Sequence, residues 1–352
     1  MPFKLRQRLI MSILFLVTFT VSLFGQVGNG FFRNLILKRV EEKSSALQVD
    51  AKRETLIFNG KARSYYVHAP KGWDRKDQLP LVFLFHGGGG NAKQALGHYQ
   101  LISKSDQAGF LLVAPNGTGP REEIFLTWNV GFGFGEAFKQ NIDDVGFFRV
   151  LLAKIEHDFP ISPDKIFATG ISNGAILCHL LAAQPDNQIA AIAPVVGTLG
   201  GMDLTKKVLF VPPKPTSPVS VMLINGLLDD HIPIEGGLQK KSIQEPRIVS
   251  SASQTVNFWV QANECDSTPD YSFDGKLKTA IYKYSKGKND TGVILYILQN
   301  QGHAWPGSTQ TNRLAADKPS PDFPGNDMIW EFFKSHPGKS KWPDSTSSVF
   351  PK

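Results

Sequence analysis

The sequence predicts an α/β fold, with a mostly parallel central sheet and helices on both faces. Three observations predict it. A strand hairpin opens the regular part of the chain, and short apolar runs bounded by turn residues recur after it. Helix-patterned segments alternate with those runs, as parallel strands and their crossovers require. Of 352 residues, 41% are hydrophobic and 20% charged, enough for one large core and against wholesale disorder.

The elements follow in order. Thr55–Phe58 and Ala62–His68 are strand-like, and Asn59-Gly60 between them is a hairpin signal. Leu81–Phe85 is a buried strand ending at His86-Gly87, and Phe110–Ala114 is another, stopped by Pro115-Asn116-Gly117. Asp143 and Asp144 open a helix reaching about Asp158, because acidic groups suit the unpaired N–H groups of a first turn. Lys165–Thr169 is a strand, Asn173–Ala183 a helix, Ile189–Val196 a strand and Val219–Ile224 a strand after a proline-rich loop. Ser251–Ala262 is a helix, Val293–Leu298 the last strand and Asn326–Lys334 the last helix. The longest insertion, about residues 115–142, is rich in glycine and aromatics and leaves no room for a large lid domain.

The termini differ from this body. Lys4, Arg6 and Arg8 precede an apolar run, Leu9 to Phe24, the layout of a secretory signal. Residues 1–25 are therefore expected to export the chain to a periplasmic or extracellular location, either cleaved or kept as a membrane anchor. Residues 26–50 read as a linker, 51–337 as the α/β domain and 338–352 as a polar tail. The formal charge is +7, but no basic stripe with interleaved aromatics occurs, which argues against nucleic acid as a partner. No obligate protein partner is expected. The two cysteines are Cys178 and Cys265. Export permits a bridge, and Cys178 on a buried helix also reads as a small hydrophobe, so the pairing stays open.

Gly170-Ile171-Ser172-Asn173-Gly174 matches G-x-S-x-G between a strand and a helix, the place of a nucleophile elbow in an α/β-hydrolase. A serine nucleophile needs a base, and the base an orienting acid, in the chain order Ser, acid, His. After Val219–Ile224 comes Asn225-Gly226-Leu227-Leu228-Asp229-Asp230, and after Val293–Leu298 comes Gln299-Asn300-Gln301-Gly302-His303. Either Asp229 or Asp230 fills the acid slot, and His303 fills the base slot. An oxyanion hole draws one N–H from Asn173 and another from the His86-Gly87-Gly88-Gly89-Gly90 loop. No Gly-Lys-Ser/Thr follows that loop, so it is no P-loop. No His/Cys/Asp cluster has metal spacing, and no cofactor is expected.

At these residues the chain resembles the secreted polyhydroxybutyrate depolymerase and feruloyl esterase family of α/β hydrolases. The matching stretches run from Leu84-Phe85-His86-Gly87-Gly88-Gly89-Gly90 through Thr127-Trp128-Asn129, Asp143-Asp144-Val145-Gly146-Phe147 and the Ser172 elbow. Asn225-Gly226-Leu227-Leu228-Asp229 and Gly302-His303-Ala304-Trp305-Pro306-Gly307 complete them. The resemblance implies Ser172 as nucleophile, Asp229 as acid, His303 as base, and Gly88 and Asn173 as oxyanion donors. It also implies paired cysteines after Trp-Asn and near the final strand; those regions read Phe132-Gly133-Phe134 and Tyr284-Ser285, and Cys265 stands where a family cysteine would but without its usual partner.

The expected activity is hydrolysis of carboxylic esters, of hydroxyalkanoate oligomers or of feruloyl or acetyl groups on polysaccharides. A peptidase on the same fold and a catalytically silent binding module are the alternatives. Trp128 and Trp305 are expected on the rim of an open cleft, offering flat apolar faces to the substrate.

Overall fold

A computed structural model describes residues 47–205, 207–241, 247–308 and 318–338. The expected export signal at residues 1–25, most of the expected 26–50 linker and nearly all of the expected tail lie outside the described residues.

The opening hairpin pairs β1 (Lys52–Phe58) with β2 (Lys61–His68). There follow β3 (Leu79–Phe85), helices α1 (Ala92–Tyr99) and α2 (Leu101–Ala108), and β4 (Leu111–Pro115). The short α3 (Gly135–Lys139) precedes α4 (Asp144–Asp158), β5 (Ile161–Ile171), α5 (Asn173–Ala182) and β6 (Ala191–Val195). Short strands β7 (Gly201–Asp203) and β8 (Val208–Phe210) come before β9 (Ser220–Gly226), and β10 (Gly237–Leu238) and β11 (Arg247–Val249) after it. The described chain then runs through α6 (Ala252–Asn263), the hairpin β12 (Asp270–Asp274) and β13 (Thr279–Tyr284), β14 (Val293–Leu298) and α7 (Gly325–Ser335).

Ten strands form one sheet in the order β1-β2-β4-β3-β5-β6-β9-β14-β13-β12. From β4 to β14 every pairing is parallel, and the antiparallel pairs lie toward the two edges. Helices cover both faces, so the central strands are buried on both sides and read as continuous apolar runs. On one face Phe83 packs edge-on against Phe148 of α4, with ring centres 5.0 Å apart. On the other, Phe167 stacks on Phe333 of α7 at 4.7 Å. This is the α/β-hydrolase architecture that the strand–helix alternation predicts.

Capping chemistry sets several ends. Asp143 accepts from Gly146 N at the start of α4. Ser251 and Gln254 form a reciprocal capping box on α6. The eight-residue helices α1 and α2 and the exposed edge strand β12 escape sequence reading, being too short or too exposed to carry a clear period.

A second sheet, β10-β11-β7-β8, is wholly antiparallel and built from insertions on either side of β9. Its strands have two or three residues, too few for a periodic signal. Its inner face packs on the 131–135 loop, where Phe210 stacks on Phe132. Cys178 and Cys265 are both free thiols, and burial raises the Cys178 thiol well above its ordinary value. Among the described residues no helix is long and apolar enough to cross a membrane, and no cluster of His, Cys, Asp or Glu could hold a metal.

Candidate active site

The site lies at the carboxyl ends of the parallel strands. Ser172 stands in the turn between β5 and α5 with φ 56° and ψ −120°, a strained backbone for a residue other than glycine. The flanking glycines make that turn possible. A Cβ on Gly174 would stand 2.4 Å from the Phe85 carbonyl oxygen, and one on Gly170 2.7 Å from the same atom. The elbow is therefore pressed against the end of β3, which delivers the glycine loop to the serine.

Ser172 Oγ lies 2.8 Å from His303 Nε2, and His303 Nδ1 lies 2.8 Å from Asp229 Oδ2. The other carboxylate oxygen of Asp229 accepts from the backbone N–H groups of His231 at 2.8 Å and Ile232 at 2.9 Å. With both oxygens bonded, the carboxylate cannot rotate away from the imidazole. The acid and base loops are tied directly: Leu228 N donates to Gln301 O, and the backbone of Gln301 leaves no room for a Cβ on Gly226. Asp230 points elsewhere, 3.4 Å from the Lys241 ammonium at the surface. The choice between the two aspartates is thus one of direction: Asp229 is 3% exposed and faces the ring.

Asn173 is the first residue of α5, so its N–H has no acceptor within the helix. Gly88 lies beside it. A Cβ there would meet Asn173 Cβ at 3.5 Å and Phe134 Cζ at 2.5 Å, so a larger residue would have to displace the Phe134 ring. The loop is held from behind. His86 Nδ1 bonds Gly87 O at 2.8 Å and its Nε2 accepts from Gly117 N at 3.0 Å, which assigns the ring proton to Nδ1. Gly89 N donates to Leu126 O at 2.7 Å.

Two predicted site residues are corrected. Trp128 is 1% exposed and Trp305 2%, so neither ring can offer a face to a substrate. Trp128 packs against Phe85 and His86, and its Nε1 donates to His86 O. Its backbone makes a reciprocal pair with the Asn173 side chain, accepting from Nδ2 at 3.2 Å and donating to Oδ1 at 2.7 Å. The Trp128 segment is a strap binding the glycine loop to the start of α5. Trp305 stacks on Tyr99 at 4.6 Å and donates from Nε1 to Asn326 Oδ1, anchoring the segment after His303 to α1 and α7. A large apolar ring with one polar handle finds both needs met in the interior, and here that outweighs display at a rim.

Residues not anticipated from the sequence also stand here. The His231 ring lies 4.7 Å from that of His303. Phe134, half-buried, reaches Gly88 from the Gly131-Phe132-Gly133-Phe134-Gly135 loop. The alternation of glycine and phenylalanine was the available signal. Behind the strap, Arg63 and Asp144 form a buried ion pair at 2.8 Å, and Asp144 also accepts from Asn129 N at 2.7 Å. Burial raises the Asp144 carboxyl, with Arg63 opposing the shift.

No protein-family model matches the chain. It is 25% identical over 291 residues to "Putative esterase NocK" of Nocardia uniformis subsp. tsuyamanensis, covering 78% of this chain and 80% of that protein. It is 26% identical to "Feruloyl esterase B" of Piromyces equi over 69% of this chain, a match that spans only 42% of the relative's length. Among solved structures, the acetyl xylan esterase from Aspergillus awamori superimposes with a TM-score of 0.53 at 13% identity, over 80% of this chain and 99% of that one. That likeness is one of fold. The chain is thus similar in sequence to a putative esterase and a feruloyl esterase, and it shares the α/β-hydrolase fold with an acetyl xylan esterase.

Proposed function

We propose that Ser172, His303 and Asp229 hydrolyse a carboxylic ester through an acyl-enzyme. The observation that carries this reading is the unbroken pair of 2.8 Å contacts from Ser172 Oγ through the imidazole to the Asp229 carboxylate. His303 Nε2 takes the hydroxyl proton as Oγ attacks the ester carbonyl. Asp229 keeps the other ring proton on Nδ1 and stabilises the imidazolium that forms. Gly88 and Asn173 donate their N–H groups to the oxyanion, each worth about 3 kcal/mol of transition-state stabilisation. The imidazolium then gives its proton to the departing alcohol as the carbonyl reforms. Water enters, loses a proton to the same nitrogen, and releases the acid and free Ser172.

The name of one relative supports a feruloyl ester as substrate; acetyl esters on polysaccharides and hydroxyalkanoate oligomers are the other classes in this reading. The basic residues before the Leu9–Phe24 run support export beyond the cytoplasmic membrane. Labelling with a fluorophosphonate probe tests the nucleophile: wild type labels and Ser172→Ala does not. A panel of p-nitrophenyl acyl esters, methyl ferulate and hydroxybutyrate oligomers ranks the substrates. Equal labelling of both proteins overturns the assignment.

A further inference from the structure

Arg247 stands on the inner face of the small sheet, 5% exposed. Its Nε donates to Gln239 Oε1 at 3.0 Å, while one terminal nitrogen is buried with no partner among the described residues. Burial lowers the guanidinium to about 10, so it remains a cation at neutral pH. A buried charge left unpaired costs several kcal/mol, and a ligand that pairs with it recovers much of that cost.

Its position links it to both sides of the proposed reaction centre. In one direction the guanidinium carbon lies 4.5 Å from the centre of the Phe134 ring, whose tip touches the Gly88 loop. In the other, Gln239 receives the Arg247 bond and donates to His231 O, and the His231 ring packs on His303. The cation thus lies behind the wall between the oxyanion loop and the base. The half-buried Phe134 ring is its cover, and it is flanked by Gly133 at φ 119° and Gly135 at φ 85°. A guanidinium presents parallel donors that match a carboxylate.

We propose that Arg247 is the anion-recognition residue of this site, reached when Phe134 turns aside, and that preferred esters carry a carboxylate close to the scissile bond. This rests on the esterase reading above. The carboxylate can belong to the acyl group or to the leaving alcohol, and two assay arms separate them. One compares p-nitrophenyl hemiglutarate with its methyl ester, the other the hydroxybutyrate dimer with its methyl ester. Wild type is expected to prefer the free acid by tenfold or more in kcat/KM in one arm, which names the side. Arg247→Met is expected to bring that ratio to near one, and Arg247→Lys to an intermediate value. Glutarate is also expected to bind wild type in titration calorimetry, a readout needing neither turnover nor a variant, while dimethyl glutarate does not. No acid preference in either arm together with no glutarate binding overturns the proposal, as does a ratio that Arg247→Met leaves unchanged. Failure of the esterase reading is distinct: wild type would then hydrolyse none of the neutral esters.

Discussion

The ends of the parallel strands and the inserted small sheet meet at one site, yet they pair their buried charges differently. At the strand ends both Asp229 oxygens are bonded, both His303 nitrogens are engaged, and the Arg63 charge faces the Asp144 carboxylate. On the small sheet Arg247 carries a comparable buried charge with no ion pair among the described residues, although the buried Asp203 stands opposite it in the strand register. Chemistry that repeats on every substrate gains from groups already fixed in place. Recognition gains from a group whose missing partner is the substrate. Reaction geometry and substrate choice are therefore stored in different parts of this molecule.

The largest expected effect tests the strand-end side. Ser172→Ala is expected to lower kcat by at least about 10³-fold with the thermal midpoint retained. Substantial residual turnover, measured with a neutral p-nitrophenyl ester, would move the chemistry away from the strand ends.

The neighbouring acids sharpen the contrast between a fixed group and a free one. Asp229→Asn is expected to cost about 10³-fold or more in kcat, since the imidazole tautomer is no longer held. Asp230→Asn, at the surface beside Lys241, is expected to stay within about twofold of wild type. Similar losses in both variants would show that the acid is not set by direction.

Stability compares the two buried arginines directly. Asp144→Ala strands Arg63 and is expected to destabilise by about 3–5 kcal/mol in urea unfolding. Arg247→Met removes an unpaired charge from a similar setting and is expected to cost little or to stabilise. Trp305→Ala, which removes a buried ring from the core, is expected to cost about 3–5 kcal/mol and to raise KM no more for bulky esters than for acetate esters. A KM effect confined to bulky esters would return Trp305 to the substrate.

The last comparison concerns His179 on α5, behind the nucleophile. Its Nδ1 accepts from Trp259 Nε1, and burial lowers its pKa to about 3. The unfolded chain takes up this proton near 6.5 and the folded chain does not, so stability is full above about 6.5 and falls as pH drops toward about 3. The slope from this one group is at most about 1.4 kcal/mol per pH unit. His179→Gln is expected to flatten the decline in denaturant midpoints between pH 6.5 and 4; an unchanged slope would assign the acid sensitivity elsewhere.

Much of this was legible without coordinates, because it depends on local pattern. Doubly buried parallel strands must be apolar throughout, so β3, β4, β6, β9 and β14 stand out as runs. The elbow needs glycine on both sides of Ser172 wherever it occurs, and acid and base follow fixed strands, so residue type and chain order point to Asp229 or Asp230 and to His303. Long-range packing was not legible. Both tryptophans read as rim residues because composition does not say which face of a loop turns inward. Only the folded chain decides that Trp128 straps the glycine loop to α5 and that Trp305 stacks on Tyr99. The small sheet left no trace, since strands of two or three residues have no period, and Arg247 looks like any surface arginine in one dimension. Its significance comes from what lies beside it, two phenylalanine rings and a glutamine, with no ion pair among the described residues. Periodicity and turn chemistry, both local, carry the order of elements and the residue types at the strand ends. Tertiary structure decided which side chains are enclosed and which charge lacks a partner, because burial and pairing depend on segments distant in the chain.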